Sequence, residues 1–173
     1  MRIALIPGSF DPITLGHVNI IMRASKIFDK VYVAVMNNDS AKYAKTLSSK
    51  TYMFDMEDRL EMVRLSLEGI SNVEAISRSG MLIDLCDELE VTAIVKGVRS
   101  EKDFTYEMIH AKWNREHNER AETLFLPAEE GLSEVSSTVV RQAIVQEDYE
   151  ALRGVVADAV IDWLKNSRNN RKS

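Results

Sequence analysis

The sequence has almost no cysteine, no long hydrophobic run and no excess of positive charge. Its one cysteine, Cys86, excludes an intrachain disulfide, and the helical spacing around it predicts a small buried side chain. No stretch reaches the ~18 apolar residues of a membrane-spanning helix, which argues against a membrane partner. The N-terminal apolar run is short and is interrupted by Pro7 and Gly8, unlike a secretory signal, so we expect a cytoplasmic protein.

The charge balance is acidic, with 22 Lys and Arg against 27 Asp and Glu and a net charge of −5. General nucleic-acid binding usually requires a basic face, so this balance argues against a nucleic-acid partner but leaves room for a local basic pocket for phosphates. With 173 residues, 45% of them hydrophobic, the chain suits one globular domain. We expect that domain to cover residues 1–165 and the polar, basic segment 166–173 to be a frayed tail.

Short apolar and β-branched segments alternate with segments of helical periodicity. Apolar runs without alternation are typical of parallel strands that are buried on both faces. Five strands are predicted, at 3–6, 31–36, 73–76, 93–95 and 123–126. The fold class is therefore α/β: a Rossmann-like, doubly wound five-stranded parallel sheet with helices on both faces and a helical C-terminus. In such sheets the ligand binds beyond the carboxyl ends of the strands, where the strand order reverses.

The turn after the first predicted strand, residues 7–17, has the features of an anion site. It contains neither the Gly-rich dinucleotide fingerprint nor the GK[ST] of a P-loop. Gly8 allows the backbone to approach a ligand closely, and a helix predicted to begin near residues 14–16 would point its first amides at the same crevice. His17 would then lie in the first helical turn and face a bound anion. Taken alone, His17 is more commonly interpreted as a capping or packing histidine.

Four blocks in order along the chain resemble motifs of the phosphopantetheine adenylyltransferases, a family of the nucleotidyltransferase superfamily. The turn at 7–17 resembles the family's opening, and its TLGH is similar to the superfamily signature HxGH with Thr for the first His. The block KGVRSEKDFTYE at 96–107 resembles RGxRxxxDFxYE, and KWN at 112–114 is similar to a downstream Met-Asn region. VSSTVVR at 135–141 resembles ISSTxxR. The resemblance extends in register over residues 2–163.

The resemblance implies adenylyl transfer from ATP to 4′-phosphopantetheine, giving dephospho-coenzyme A and pyrophosphate. It also implies Mg²⁺ as the partner of the ATP phosphates, no metal bound by the protein's own side chains, and a homohexamer. His17 would be the catalytic residue and would stabilise charge at the α-phosphate. The implied ATP-binding residues are Ser9, Phe10, His17, Gly97, Val98, Arg99, Glu107, Leu132, Ser133, Glu134, Val135, Ser136, Ser137 and Thr138. The implied acceptor-binding residues are Ser9, Lys42, Leu82 and Lys96.

The implied reaction explains why cations outnumber carboxylates in these motifs. A phosphate nucleophile has a second pKa of about 6, so it is largely dianionic at neutral pH and requires no general base. In-line attack of a dianion on a polyanion requires charge relief instead, which basic side chains and helix-start amides supply.

Two positions depart from the family pattern. Lys96 stands where the family usually has Arg, which keeps the charge but loses the bidentate fork. The acceptor lysine, in a polar loop over 37–52, is Lys42 when the sequence is read from the left and Lys50 when it is read back from Met53. We favour Lys42.

Simpler interpretations stay open for several of these residues. Asp103 and Glu107 are four apart on a helix and could simply pair with neighbours. Lys96 and Arg99 could be solvated charges. The Ser-Ser-Thr run at 136–138 could be no more than the N-cap of a helix. The rival functions are a transferase for nicotinamide mononucleotide or a related phosphate, and a non-catalytic nucleotide-binding protein.

Overall fold

A computed structural model describes residues 1–37 and 51–171 of the chain, with side chains as far as residue 167, and shows a five-stranded sheet. The strands are β1 (Ile3–Gly8), β2 (Lys30–Met36), β3 (Val73–Arg78), β4 (Ala93–Val98) and β5 (Glu122–Pro127). They lie in the order β3-β2-β1-β4-β5, and every pairing is parallel. The predicted α/β fold class is therefore confirmed.

Helices cover both faces of the sheet. They are α1 (Leu15–Ser25), α2 (Met56–Ser66), α3 (Leu82–Glu88), α4 (Glu101–His117), α5 (Ser137–Val145) and α6 (Asp158–Arg171), with a 3-10 turn at Glu150–Leu152. The larger core lies between one face and α1, α2, α5 and α6, and the smaller core lies under α3 on the other face. Helix α4 covers β4 and β5 on this second face, where the Lys96 side chain reaches it.

The middle strands show why the apolar runs do not alternate. In β2, Val31, Val33 and Val35 enter the larger core, whereas Ala34 and Met36 enter the smaller one. Each face of the strand is thus buried against a different set of helices. Cys86 is also fully buried in the smaller core, as predicted, and burial together with the charge of Asp87 raises its pKa to about 12.

The order in which the strands are added to the sheet reverses between β1 and β4. From β1 the chain builds outward through β2 to β3, and then it crosses to β4 on the other side of β1. The carboxyl ends of β1 and β4 are therefore the position at which doubly wound sheets bind ligands, and we call this position the crevice. At the far end of the chain, α6 continues to Arg171, well into the segment 166–173 that the sequence predicts to fray. Over the described residues, no helix has both the length and the apolar character needed to cross a membrane.

Candidate active site

The turn between β1 and α1 folds back on itself at Gly8. Phe10 adopts a φ of 45°, an uncommon backbone conformation for a residue with a side chain, and its ring is buried beneath Gly8. A Cβ atom on Gly8 would lie only 2.8 Å from that ring. The ring in turn contacts the imidazole of His17 edge-on, with 5.2 Å between centroids. Because Gly8 has no side chain, the Phe10 ring can lie beneath it and contact His17.

His17 is both a helix-capping residue and an oriented donor. Thr14 is the N-cap of α1, close to the predicted start, and its backbone N–H donates to His17 Nδ1 at 3.1 Å. The Thr14 hydroxyl lies 3.0 Å from the same nitrogen. An amide N–H can only donate, so Nδ1 is an acceptor and the neutral ring carries its proton on Nε2. The cap thus selects the tautomer whose Nε2–H can donate to an anion.

The electrostatics of the site keep His17 neutral. Burial and the positive charge of Arg99 lower the pKa of the imidazole from 6.5 to about 4. At neutral pH the ring is therefore an uncharged hydrogen-bond donor. Arg99 follows β4, so the end of that strand contributes to the electrostatics around His17.

The segment between β5 and α5 lies along the first turn of α1. The carbonyl oxygens of Leu132 and Val135 lie 3.5 and 3.6 Å from the position that a Cβ on Gly16 would occupy. Asn19 Nδ2 donates to the carboxylate of Glu129 and ties the same segment to α1. The residues at 132–135 that were predicted to bind ATP are thus adjacent to the turn that carries the imidazole.

The hydroxyl groups at the start of α5 serve the protein itself. Ser136 is the N-cap, and its Oγ accepts from the N–H three residues further on at 3.3 Å, which confirms the capping interpretation. Ser137 Oγ donates to the carbonyl of Pro12 at 2.8 Å, and Thr138 Oγ1 accepts from Arg141 at 3.1 Å. The contact of Ser137 therefore fastens the start of α5 to the β1–α1 turn.

Lys96 and Glu107, predicted to bind different ligands, form an ion pair with each other. Lys96 Nζ lies 3.1 Å from Glu107 Oε2, and each side chain is only 19% exposed. His110 Nδ1 approaches the same carboxylate oxygen at 3.6 Å. Burial acts to raise the pKa of Glu107, but His110 and Lys96 lower it more, so the carboxyl is ionised. The interpretation that Glu107 pairs with neighbours is confirmed.

Arg99 lies at the rim of the crevice. Its Nε donates to Asp103 at 3.0 Å, and its side chain is 44% exposed. The same carboxylate accepts from the Arg99 backbone N–H at 3.2 Å. Asp103 therefore holds the first residue after β4 through both its backbone and its side chain.

The surroundings differ among Gly97, Leu82 and the acceptor lysine. Gly97 lies against α1, where a Cβ would come within 2.9 Å of Ile20, so packing alone requires a glycine there. Leu82 is partly buried against the smaller core on the α3 side. Lys42 and its alternative Lys50 lie outside the described residues.

Sequence reasoning missed Asp11 and Arg59. Asp11 lies in the turn at 7–17 and was assigned no role, yet it is 2% exposed. Arg59 lies in α2, was not singled out at all, and is 1% exposed. No local pattern marks a buried arginine, because its partners come from other elements.

A family comparison identifies the group to which this architecture belongs. The model of the cytidylyltransferase-like family matches residues 5–143, which include β2 to β5 and most of β1 and α5. The chain belongs to the cytidylyltransferase-like family. The chemistry of cytidylyltransferase-like enzymes is nucleotidyl transfer, which agrees with the superfamily expected from the TLGH turn.

Two solved structures share the fold. One is a provisionally assigned nicotinate-nucleotide adenylyltransferase from Vibrio parahaemolyticus, with a TM-score of 0.68, 20% identity, and coverage of 96% of this chain and 93% of that one. The other is a lipopolysaccharide core biosynthesis protein from Thermoplasma volcanium GSS1, with a TM-score of 0.53, 19% identity, and coverage of 75% of this chain and 99% of that one. At these identities the likeness shows the fold alone. It does not identify the acceptor substrate.

Proposed function

We propose that this protein transfers the adenylyl group of ATP to 4′-phosphopantetheine and releases dephospho-coenzyme A and pyrophosphate. The observation that carries the proposal is the oriented, neutral His17, which lies beside the start of α5 and under the influence of Arg99 at the reversal of strand order. The resemblance of the block at 96–107 to the pantetheine enzymes favours this acceptor.

The chemistry follows from the charges at the crevice. An oxygen of the acceptor phosphate forms a bond to the α-phosphorus of ATP, the bond from that phosphorus to the bridging oxygen breaks, and the electron pair leaves with pyrophosphate. His17 Nε2–H donates to an α-phosphate oxygen as negative charge shifts toward the leaving group. Arg99 and the first amides of α5 balance charge on the β- and γ-phosphates. The acceptor is already a dianion, so no general base is required.

We propose that Mg²⁺ enters this site with the substrate. Over residues 1–37 and 51–171, no group of three or more His, Cys, Asp or Glu side chains is arranged to hold a metal ion. Mg²⁺ commonly keeps several waters and binds substrate phosphates. In this proposal the triphosphate oxygens and water would hold the ion, which neutralises phosphate charge.

A second acceptor class is favoured by one specific observation. Lys96, the proposed acceptor-phosphate residue, is paired with Glu107, so its charge is already balanced. The structural neighbour from Vibrio parahaemolyticus is described as acting on nicotinate nucleotide. A mononucleotide acceptor also presents a phosphate, and it is the alternative that we test.

The experiment incubates purified protein with ATP, Mg²⁺ and either 4′-phosphopantetheine or nicotinate mononucleotide, and it measures pyrophosphate release and product mass. We expect release with 4′-phosphopantetheine. Release with nicotinate mononucleotide alone would overturn 4′-phosphopantetheine as the acceptor, and release with neither would argue against both transferase assignments.

We also propose a homohexamer, which light scattering of the purified protein tests. A cytoplasmic location stays a prediction.

A further inference from the structure

We infer that Arg59 is a positioning residue that aims the Phe10 backbone N–H into the phosphate crevice by holding the carbonyl of Ser9. The inference deepens the proposed function and rests on it for its activity measurements. Arg59 lies on α2, away from the motifs that resemble the adenylyltransferases.

The contacts of Arg59 converge on the carboxyl ends of two strands. Its Nη1 donates to the Ser9 carbonyl at 2.9 Å, just after β1, and its Nη2 donates to Asn37 Oδ1 at 2.7 Å, just after β2. Its Nε donates to the Asp55 carbonyl at 3.2 Å, and the guanidinium lies 4.3 Å from the centroid of the Tyr52 ring. One side chain thus connects the turn after β1, the end of β2 and the start of α2.

Stability alone is a weak reason for this arginine. Its side chain is among the largest that are fully buried in the described chain. Removing a charged group from water is costly, and replacing buried ionic groups with apolar residues of similar size is often neutral or stabilising. A methionine could fill the same volume without that cost. The specific contribution of Arg59 is therefore the direction of the groups to which it donates.

The geometry of the peptide bond transmits that direction to Phe10. The unit joining Ser9 to Phe10 is planar, and in its ordinary trans form the C=O and N–H point in opposite directions. Because Arg59 draws the Ser9 carbonyl toward α2, the Phe10 N–H points away from α2. Phe10 also has a φ of 45°, and such a conformation persists only when the surrounding structure fixes it.

Asp11 attaches the same turn to the segment that leads into α2. Its two carboxylate oxygens accept from the backbone N–H groups of Met53 and Phe54 at 2.9 and 3.0 Å. The charge of Asp11 also partly offsets the lowering of the Arg59 pKa by burial. The turn therefore accepts hydrogen bonds both from Arg59 on α2 and from the segment that leads into α2.

The test compares Arg59→Met and Arg59→Lys with the matched control Asn72→Ala. Asn72 Nδ2 also donates to two carbonyls, of Ser25 and Phe28, at 2.8 and 3.1 Å, but these lie near the amino ends of the strands. For each variant we would measure the thermal midpoint, kcat and KM for pyrophosphate release, and hydrogen exchange at the Phe10 amide.

We expect Arg59→Met to lower kcat by about 10²-fold, because small misplacements of a positioning group can have that effect. KM for ATP should change less than kcat, and Phe10 exchange should rise relative to the control. Arg59→Lys keeps the charge and one contact, so it should recover part of kcat.

The inference is overturned if Arg59→Met loses no more kcat, and shows no more Phe10 exchange, than Asn72→Ala. Should Arg59→Met fail to fold, Arg59→Lys decides by the same two measurements. If the wild-type protein transfers to neither acceptor, the proposed function fails, but exchange at Phe10 still decides the role of Arg59.

Discussion

The turn after β1 and the end of β4 face the same crevice but are built differently. The turn is buried, and three of its carbonyls accept from elsewhere in the fold: Ser9 from Arg59, Asp11 from Arg141 at 2.8 Å, and Pro12 from Ser137. At the end of β4 the charged side chains pair with one another, Lys96 with Glu107 and Arg99 with Asp103, and they are partly exposed.

This difference separates two tasks. Donors that are fixed before the substrate arrives need no reorganisation during the reaction, which is the condition for strong transition-state stabilisation. Charges that are already paired must exchange partners to bind a ligand, and exposed pairs are individually weak. We therefore assign catalysis mainly to the turn after β1 and adjustment to the substrate mainly to the end of β4.

The largest expected effect is the loss of the fixed donor. Changing His17 to Ala removes the Nε2–H, and by analogy with other transition-state donors we expect kcat to fall by about 10²–10³-fold. Because Thr14 also loses a cap partner, the thermal midpoint must be measured with the kinetics. His117→Ala is the control: His117 stacks on Trp113 at the far end of α4, and its loss should leave kcat unchanged. Equal activity of His17→Ala and wild type would show that catalysis does not depend on a fixed donor in the turn after β1.

Gly8→Ala tests whether the turn depends on its close packing. The added Cβ would meet the Phe10 ring at 2.8 Å, so the ring or the backbone must shift. Such overpacking commonly costs about 1–3 kcal/mol of unfolding free energy, and we expect kcat to fall as well because the ring supports His17. Gly16→Ala is the stability control, since its Cβ would meet the nearest atoms at an ordinary 3.5 Å. A Gly8→Ala protein as stable and active as wild type would show that the turn adapts.

The same contrast explains what the sequence could predict. All five strands were predicted from apolar runs, but the carboxyl ends of all except β2 were placed too early. Gly8 and Gly97 extend β1 and β4 without an apolar signal, because they serve close packing against Phe10 and Ile20. The cap at Ser136 was proposed from local sequence and confirmed, since a cap involves only neighbours along the chain.

Contacts between distant elements left no such signal. Arg59 in α2 and Asp11 in the turn after β1 are buried because their partners come from elsewhere in the fold. The pairing of Lys96 with Glu107 also had no specific signal in the sequence, since it depends on how α4 lies over β4.

Glu107→Gln tests the paired charges at the end of β4. The change releases Lys96 from its ion pair, so if Lys96 binds the acceptor phosphate, KM for the acceptor should fall by about 5-fold, equivalent to about 1 kcal/mol. KM for ATP should rise, because Glu107 is proposed to line that site. Glu74→Gln is the matched control, since it breaks the Lys30–Glu74 pair of 2.7 Å at the opposite end of the strands. If Glu107→Gln and Lys96→Gln both leave the acceptor KM unchanged, Lys96 does not bind the acceptor.

The smallest effect connects the two regions directly. Arg99→Gln removes the charge that helps to depress the pKa of His17, so that pKa should rise above about 4 but stay below 6.5, since burial is the larger cause. NMR titration of the imidazole measures the change, and Asp103→Asn, which retains the Arg99 charge, is the control.

The pH dependence of the free energy of unfolding reports the same coupling between Arg99 and His17. Because the folded pKa of His17 lies below its unfolded value, the unfolded state binds the proton more readily between the two, and stability falls as the pH drops from 6.5 toward 4. In Arg99→Gln that loss should end at a higher pH than in the wild type, and chemical denaturation across this range measures it. An unchanged His17 pKa in Arg99→Gln would mean that the two ends of the crevice act independently, and the division of tasks would then rest on geometry alone.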